Sequence, residues 1–491
     1  MLRTFKYLLA SKKIMKEFYI TTAIDYVNAE PHIGHAYQKI IADVLARWHR
    51  LNGEEVFFLT GTDEHGQKIA KSAKEINLSE KEFADMNSEK FKIAWKKLNI
   101  NYSKFIRTTD STHKEKAYKF IEKVNHDIYK GNYEGLYCIG CEAYVTEKDL
   151  INGECPYHPG KKLEKLKEET YFFRLSKYQK KLLEFYKKNP EYILPKKKAQ
   201  EIINRVKEGL NDLSITRTNI SWGIPYPENK NHVIYVWFEA LLNYLTGIDW
   251  PEKNFRKFWP ADIQLLGVDN SWFHCVIWPA MLMSAGIEPA KNIFVHGFLT
   301  FNSQKISKSL GNGISPTTLV EKYGADTIRY YICRNFVFGE DGDFSEQALI
   351  NRHNNELANK LGNLISRITA LDEKIGLERT ENRLLKKLNL KKVKEKMSNY
   401  EIDKALNLIF EFVDKCNEYV QEKKPWETKD KKILYELTDS IKSIAILLWP
   451  FMPEFAEKIS NELDFEISIN EIKRPLGNLK IKKSSALFNK I

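Results

Sequence analysis

Strand signals stop near residue 350. Ahead of that point, short β-branched and aromatic runs alternate with helical stretches, and beyond it apolar residues recur only at helical spacing. That single change of period restricts the chain to an α/β unit on a parallel sheet, followed by an all-helical unit. In the second unit Ala405, Leu408, Ile409, Phe412, Val413, Cys416, Tyr419 and Val420 form one helical stripe. Ile433, Leu437, Ile441, Ile444 and Leu448 form another. The charged segment 377–397 reads as an exposed connection.

In the first unit, "FYITTAIDY" (Phe18–Tyr26) opens as a buried strand. A helix follows "VNAEPHIG", with Ala36, Ile40, Ile41, Val44, Leu45 and Trp48 on one face and Gly53 as its stop. A turn between strand and helix faces the ligand crevice of an open α/β sheet, and helix N-terminal amides attract phosphate. His32 and His35 stand at that N-terminus, where imidazoles can donate to phosphate oxygens; taken alone, they read as two surface histidines in a turn. A second strand from Glu54 ends in Gly61-Thr62-Asp63-Glu64-His65-Gly66, again pointing small and polar residues at the crevice. "HVIYVWFEALLNYL" turns from strand to helix period near Trp237, and "DIQLLGVDN" and "NIFVHGFLTF" read as two further strands around the helix "WFHCVIWPAMLMSAG". The partition is an extension over 1–15, a first catalytic half over 16–130, an insertion over 131–211 and a second half over 212–304. A loop and stem-contact region over 305–350 and a helical domain over 351–491 complete it.

With 491 residues, 43% of them hydrophobic, the chain has material for two to four domains and is not disordered. Its net charge of +12 fits a polyanionic partner such as nucleic acid, and fits equally a Lys-rich composition with no such partner. No apolar run reaches the roughly 18–20 residues that span a bilayer. "MLRTFKYLLASKKIMK" reads as an organellar transit segment or, preferably, as a tail ahead of a start at Met15.

Three of the six cysteines cluster with a histidine. Cys138-x-x-Cys141 and Cys155-x-x-His158 supply three thiolates and one imidazole from two tight turns, with Asn152 and Gly153 turning between them. That set suits tetrahedral zinc with no open position, hence a structural metal in a reducing compartment. Further on, "NSQKISKSLGNGISP" places Lys305 and Lys308, with Ser307, in a mobile loop after a late strand. Such a loop can close on pyrophosphate, although a lone K-x-x-K reads as a solvated basic loop.

The pair is more specific than either half. His-Ile-Gly-His after the first strand and Lys-Ile-Ser-Lys-Ser after a late one resemble the two signatures of class I aminoacyl-tRNA synthetases, with Ile306 in place of the family's methionine. Within class I the resemblance is to the methionyl branch, from Lys16 to Ile491, through "TTAIDYVNAEPHIGHAY", "TGTDEHGQKI", "YVWFEALLNYL", "FHCVIWPAMLMSAG" and "KKPWE". The chain leaves no room for the large editing insertion of the Ile, Val and Leu enzymes. The resemblance implies a Rossmann-like parallel-sheet catalytic domain with a zinc-knuckle insertion, followed by an anticodon-binding helical bundle. It implies activation of methionine by ATP to methionyl-adenylate and pyrophosphate, then transfer to the 3′-terminal adenosine of tRNA(Met), initiator tRNA included. One structural zinc, and Mg²⁺ accompanying ATP, belong to that expectation, as does a cytoplasmic monomer; the transit reading of 1–15 would make it organellar.

Carried over residue by residue, His32, Gly34, His35, Lys305, Ser307 and Lys308 face the ATP phosphates, the histidines and lysines as catalytic groups, and Asp269 faces the ribose. Ala23, Ile24, Tyr26, Trp237, Ala240, Tyr244 and His274 enclose the methionine side chain, whose polarizable thioether suits aromatic walls. Asp63 takes the substrate ammonium with Arg217 as its partner, and Asn363, Arg367 and Trp426 read anticodon bases. Asp25 stands where the family has proline or a neutral residue, Glu239 where it has aspartate, and Gly267-Val268-Asp269-Asn270 where it has "GKDI". The alternatives are a class I synthetase for another amino acid, cysteine first, a small-molecule nucleotidyltransferase with a related turn, and a catalytically silent tRNA-binding relative.

Overall fold

The computed structural model describes residues 15–140, 143–145, 150–156, 158–218, 220–301, 304–305 and 314–491. Its centre is a parallel sheet of seven strands: β1 (Glu17–Thr22), β2 (Asp25–Tyr26), β3 (Glu55–Asp63), β4 (Lys104–Arg107), β5 (Ile193–Leu194), β6 (Ile263–Gly267) and β7 (Ile293–His296). β1 pairs with β3 on one side and β6 on the other; β6 continues to β7 and β7 to β5, while β2 and β4 also pair with β3. The strands are short apolar runs because helices cover both faces of such a sheet. From β1 the chain departs toward β3, and β6 is later laid on the opposite side. At that divergence the C-terminal ends of β1 and β6 open the crevice. Ala23 N–H donates to the Leu265 carbonyl at 2.8 Å and holds the two edges of the crevice together.

Helix α1 (Ile33–Leu51) follows β1 and ends just before Gly53, whose φ of +82° is the left-handed conformation a helix stop favours. The insertion is a long antiparallel pair, Ile128–Cys138 with Glu164–Phe173, flanked by Ala143–Val145 and Leu213–Ser214. Helices Gln179–Lys188 and Lys196–Lys207 follow the pair. Between them β5 re-enters the main sheet beside β7, so the stretch 131–211 contributes to both sheets.

Three local readings differ from the expectation. The stretch after Trp237 is two short helices, Val236–Ala240 and Asn243–Thr246, rather than one. The Asn243 amide donates to the Ala240 carbonyl at 2.6 Å and competes for the acceptor a continuous helix would use. "NIFVHGFLTF" is not one strand: it breaks at Gly297, and Leu299–Phe301 joins a separate small sheet with Gln304–Lys305 and Gly342–Phe344. A Cβ at Gly297 would lie 2.4 Å from Asp341 Oδ1, so only glycine turns there. Finally, 377–397 is no bare connection. It contains the turn Leu384–Lys387 and the start of the helix Leu390–Ser398, which buries Val393 and Met397 at i and i+4 while its lysines face solvent.

The helical unit is built on Asn363–Ile375, Ile402–Lys423, Lys431–Leu448 and Pro453–Leu463. Lys431–Leu448 runs through its middle and is buried on every side from Leu434 onward, more than a one-sided stripe. Several side chains tie the units together, Arg329 among them. Arg329, wholly buried, contacts Asp43 Oδ2 of α1 at 2.7 Å and donates to the carbonyls of Leu98, Pro450 and Phe451. No described helix is long and apolar enough to cross a membrane.

Candidate active site

His32 and His35 form a capping box at the N-terminus of α1. His32 Nδ1 accepts from the Gly34 amide at 3.1 Å, and the His32 amide donates to His35 Nδ1 at 3.2 Å. Imidazoles thus replace the usual hydroxyl and carboxylate of that motif. The rings stack at 3.8 Å, and Gly34 leaves room for the fold-back, since its Cβ would sit 3.0 Å from the His32 ring. Burial and the neighbouring His35 hold His32 down to about 2; burial and Lys39 hold His35 down to about 3. Both rings are therefore neutral, and with Nδ1 accepting, the ring proton resides on Nε2 as a donor. Beside this turn, Ile33 N–H donates to the Ile314 carbonyl at 3.0 Å. Ile314, the first described residue after the strand Gln304–Lys305, therefore lies against α1. The Lys305 side chain, Ser307 and Lys308 lie outside what is described.

The crevice next to the histidines is a cleft of about 1280 Å³ whose lining includes all seven residues of the expected amino-acid pocket, together with Asp63, Arg217 and Asp269. Tyr244 Oη donates to His274 Nε2 at 2.6 Å, and His274 Nδ1 donates to the Asn270 carbonyl at 2.9 Å. Burial pushes His274 down to about 4, which keeps this relay neutral. Trp237 stacks on Phe273 at 4.0 Å, 5° from parallel, and Phe273 is a wall residue the sequence did not single out. Asp63 closes β3 and is buried; Arg217 is buried too, donating to Ser214 Oγ at 2.8 Å and lying 4.2 Å over the Tyr235 ring. Asp269 follows β6 so closely that a Cβ on Gly267 would meet its Oδ1 at 2.9 Å.

Two of the departures have structural partners. Glu239 points away from the cleft and accepts from His65 Nδ1 at 2.7 Å and His113 Nε2 at 2.9 Å. Its extra methylene lets one carboxylate span both rings. Burial pushes that carboxyl up, and the two imidazoles outweigh it and hold it below the usual range. Asp25 Oδ1 meets Lys39 Nζ at 2.7 Å, and Lys39 also donates to the Ala23 carbonyl at 2.9 Å and Gln38 Oε1 at 3.0 Å. Nothing in the structure explains Val268.

Cys138 Sγ, Cys155 Sγ and His158 Nδ1 lie within 4.8 Å of one another, each sulfur 3.9 Å from the imidazole nitrogen, and Cys155 and His158 line the cleft. Tetrahedral zinc with ordinary bond lengths sets sulfur and nitrogen ligands about 3.6 Å apart, so the donors fit the ion. Gly140 is required inside this knuckle, because a Cβ there would lie 2.3 Å from the His158 ring. Cys141 lies outside the described residues.

Residues 18–165 and 158–369 match the family described as tRNA synthetases class I (M). The methionine–tRNA ligase of Thermotoga maritima is 43% identical over 475 residues, covering 92% of this chain and 76% of that protein. That of Rickettsia felis is 44% identical over 471 residues, covering 91% and 92%. The chain belongs to the methionyl class I tRNA synthetases. Among solved members of that family, Mycobacterium tuberculosis methionyl-tRNA synthetase in complex with methionyl-adenylate superposes with a TM-score of 0.92 at 38% identity, over 96% of this chain and all of that one.

Residues 382–487 match the anticodon-binding domain of tRNA ligases. Asn363 and Arg367 share one face of their helix, and Arg367 Nη2 reaches Asn417 Oδ1 on the helix Ile402–Lys423 at 3.3 Å. That helix ends directly before the turn Pro425–Thr428, where Trp426 is 39% exposed between Lys424 and Lys429, both at positive φ. An aromatic held out at the end of a bundle is available for stacking.

Proposed function

We propose that this chain is the ligase that charges tRNA(Met), initiator tRNA included, with methionine, acting as a monomer in the cytoplasm. The observation that carries the reading is the neutral His32–His35 cap beside an aromatic-walled cleft at the β1/β6 divergence, in a chain of the methionyl family. A methionine carboxylate oxygen bonds to the α-phosphorus of ATP as the bond to the bridging oxygen breaks and pyrophosphate leaves. A carboxylate is already a nucleophile, so positioning and charge stabilisation supply the rate rather than a general base. Trp237, Tyr244 and His274 hold the thioether, and Asp63, oriented by Arg217, takes the ammonium. His32 and His35 donate from Nε2 to phosphate oxygens, Asp269 holds the ribose, and Lys305 and Lys308 close on the departing pyrophosphate.

Mg²⁺ brought in with ATP would supply charge neutralisation at the phosphates. Zinc held by Cys138, Cys141, Cys155 and His158 would supply structural closure of the knuckle. In the second step a terminal ribose hydroxyl of tRNA attacks the adenylate carbonyl and AMP leaves, with Asn363, Arg367 and Trp426 reading the anticodon. The test is ATP–pyrophosphate exchange with each of the twenty amino acids offered singly. Exchange with methionine alone is expected. Exchange with a different amino acid overturns the substrate, and none at all in folded, zinc-loaded protein overturns the activity.

A further inference from the structure

Lys68 connects two parts of the cleft. It follows the "TGTDEHG" turn, at the second position of the helix Gln67–Glu75. Its Nζ donates to the carbonyl of Gly140, inside the Cys138–Cys141 knuckle. The same ammonium lies 5.5 Å from the centroid of the Tyr26 ring, at the other end of its reach. Tyr26, Lys68, Gly140, Cys155 and His158 all line the one cleft. Gly140 packs so closely on the His158 ring that a Cβ there would lie 2.3 Å from it, which ties this stretch of backbone to the imidazole.

We propose that Lys68 is a positioning residue that couples order in the knuckle to methionine affinity, an inference that rests on the substrate reading above. An ammonium has three donors and presents a compact charge, so it can serve a carbonyl and an aromatic face at once. While the knuckle is closed, its Gly140 carbonyl fixes the ammonium, and the ammonium fixes the Tyr26 ring against which methionine packs. Displacing the Gly140 carbonyl removes that contact from the ammonium that lies over the Tyr26 ring. Coupling between two binding sites is reciprocal: if a closed knuckle tightens methionine, methionine must tighten zinc by the same factor.

The experiment is methionine binding by calorimetry without ATP, on zinc-loaded wild type, Lys68→Met and Lys68→Arg. Lys68→Met removes the donor and the charge at similar length. Its methionine Kd is expected to rise at least fivefold with ATP affinity unchanged, while Lys68→Arg, which keeps both, stays within twofold of wild type. Competition with a chromogenic chelator reads zinc affinity in parallel. Saturating methionine tightens zinc in wild type and leaves it unchanged in Lys68→Met. Wild-type methionine affinity in Lys68→Met, or zinc affinity indifferent to methionine in wild type, overturns the coupling. Failure of the wild type to bind methionine overturns the substrate reading instead.

Discussion

Replacing Lys39 by Met probes the buried pair at the base of the methionine pocket. The ammonium is wholly buried, and its 2.7 Å contact with Asp25 is the only hydrogen bond found for that carboxylate among the described residues, since Oδ2 has no partner. Burial pushes the Asp25 carboxyl up and the Lys39 ammonium down, and their contact opposes both shifts. Removing one member of a buried pair costs about 3–5 kcal/mol. The variant has one escape, which is to protonate Asp25, and this bounds the loss. Holding a carboxyl of ordinary pKa protonated costs about 1.4 kcal/mol per pH unit, hence about 4 kcal/mol at pH 7 and about 1.5 kcal/mol at pH 5. Above about pH 4 the unfolded Asp25 is ionised while the folded one keeps its proton, so the native state binds more protons and stability falls as pH rises. At about 2 °C per kcal/mol, melting should drop by about 8 °C at pH 7 and about 3 °C at pH 5, each relative to wild type at that pH. The double variant Lys39→Met with Asp25→Asn should recover most of the loss and show no pH dependence. An equal drop at both pH values, or none at pH 7, refutes the ion-pair account.

Lys308→Ala should slow adenylate formation at least tenfold in single-turnover assays with little change in methionine Kd; an unchanged rate removes the loop from the chemistry. Trp426→Ala should weaken tRNA charging at least tenfold while ATP–pyrophosphate exchange stays at wild-type rate, and equal loss in both assays counts against an anticodon role. Cys155→Ser should release about one zinc per chain and destabilise the insertion, measured by metal analysis and limited proteolysis. His32 and His35, held down to about 2 and about 3, should stay neutral in histidine-labelled NMR spectra down to pH 5. Below about pH 6.5 the unfolded chain takes up protons these rings refuse, so stability should fall with acid by about 1.4 kcal/mol per unit for each. Imidazole titration near pH 6.5 in the folded protein would contradict their burial.

What was legible in the sequence was local or repeated. The turn before α1 could be read because a strand, a turn and a helix start each leave their own short-range pattern. The role of Nδ1 in capping could not, because it depends on ring rotamers that the pattern does not specify. Asp25 carried a signal that went unused: a carboxylate at the end of a buried strand demands a partner. Lys39, inside a helix otherwise apolar enough to be buried all round, was the residue to look for. Glu239 gave no such signal, since His65 and His113 reach it from more than a hundred positions away. Phe273 and Lys68 were hidden too, because their partners Trp237 and Gly140 lie outside their own local patterns. The helical segment within 377–397 was hidden by its lysines, which outnumber the two apolar residues that anchor its helix.

On the proposed reading, the division between neutral histidines and cationic lysines has a physical consequence. Two charged imidazoles fixed at the end of α1 would bind the triphosphate of the ground state as tightly as that of the transition state, and such uniform binding does not raise kcat. Burial prevents this by holding both rings neutral, so they orient the phosphates by hydrogen bonds alone. The positive charge is carried instead by Lys305 and Lys308, ahead of the Ile314 carbonyl that accepts from Ile33 N–H beside the cap. Cations that meet the charge accumulating on the leaving pyrophosphate lower the barrier by electrostatic stabilisation. The depressed histidines and the separate basic loop are thus two halves of one arrangement. The buried neutral rings set geometry, and the lysines supply charge.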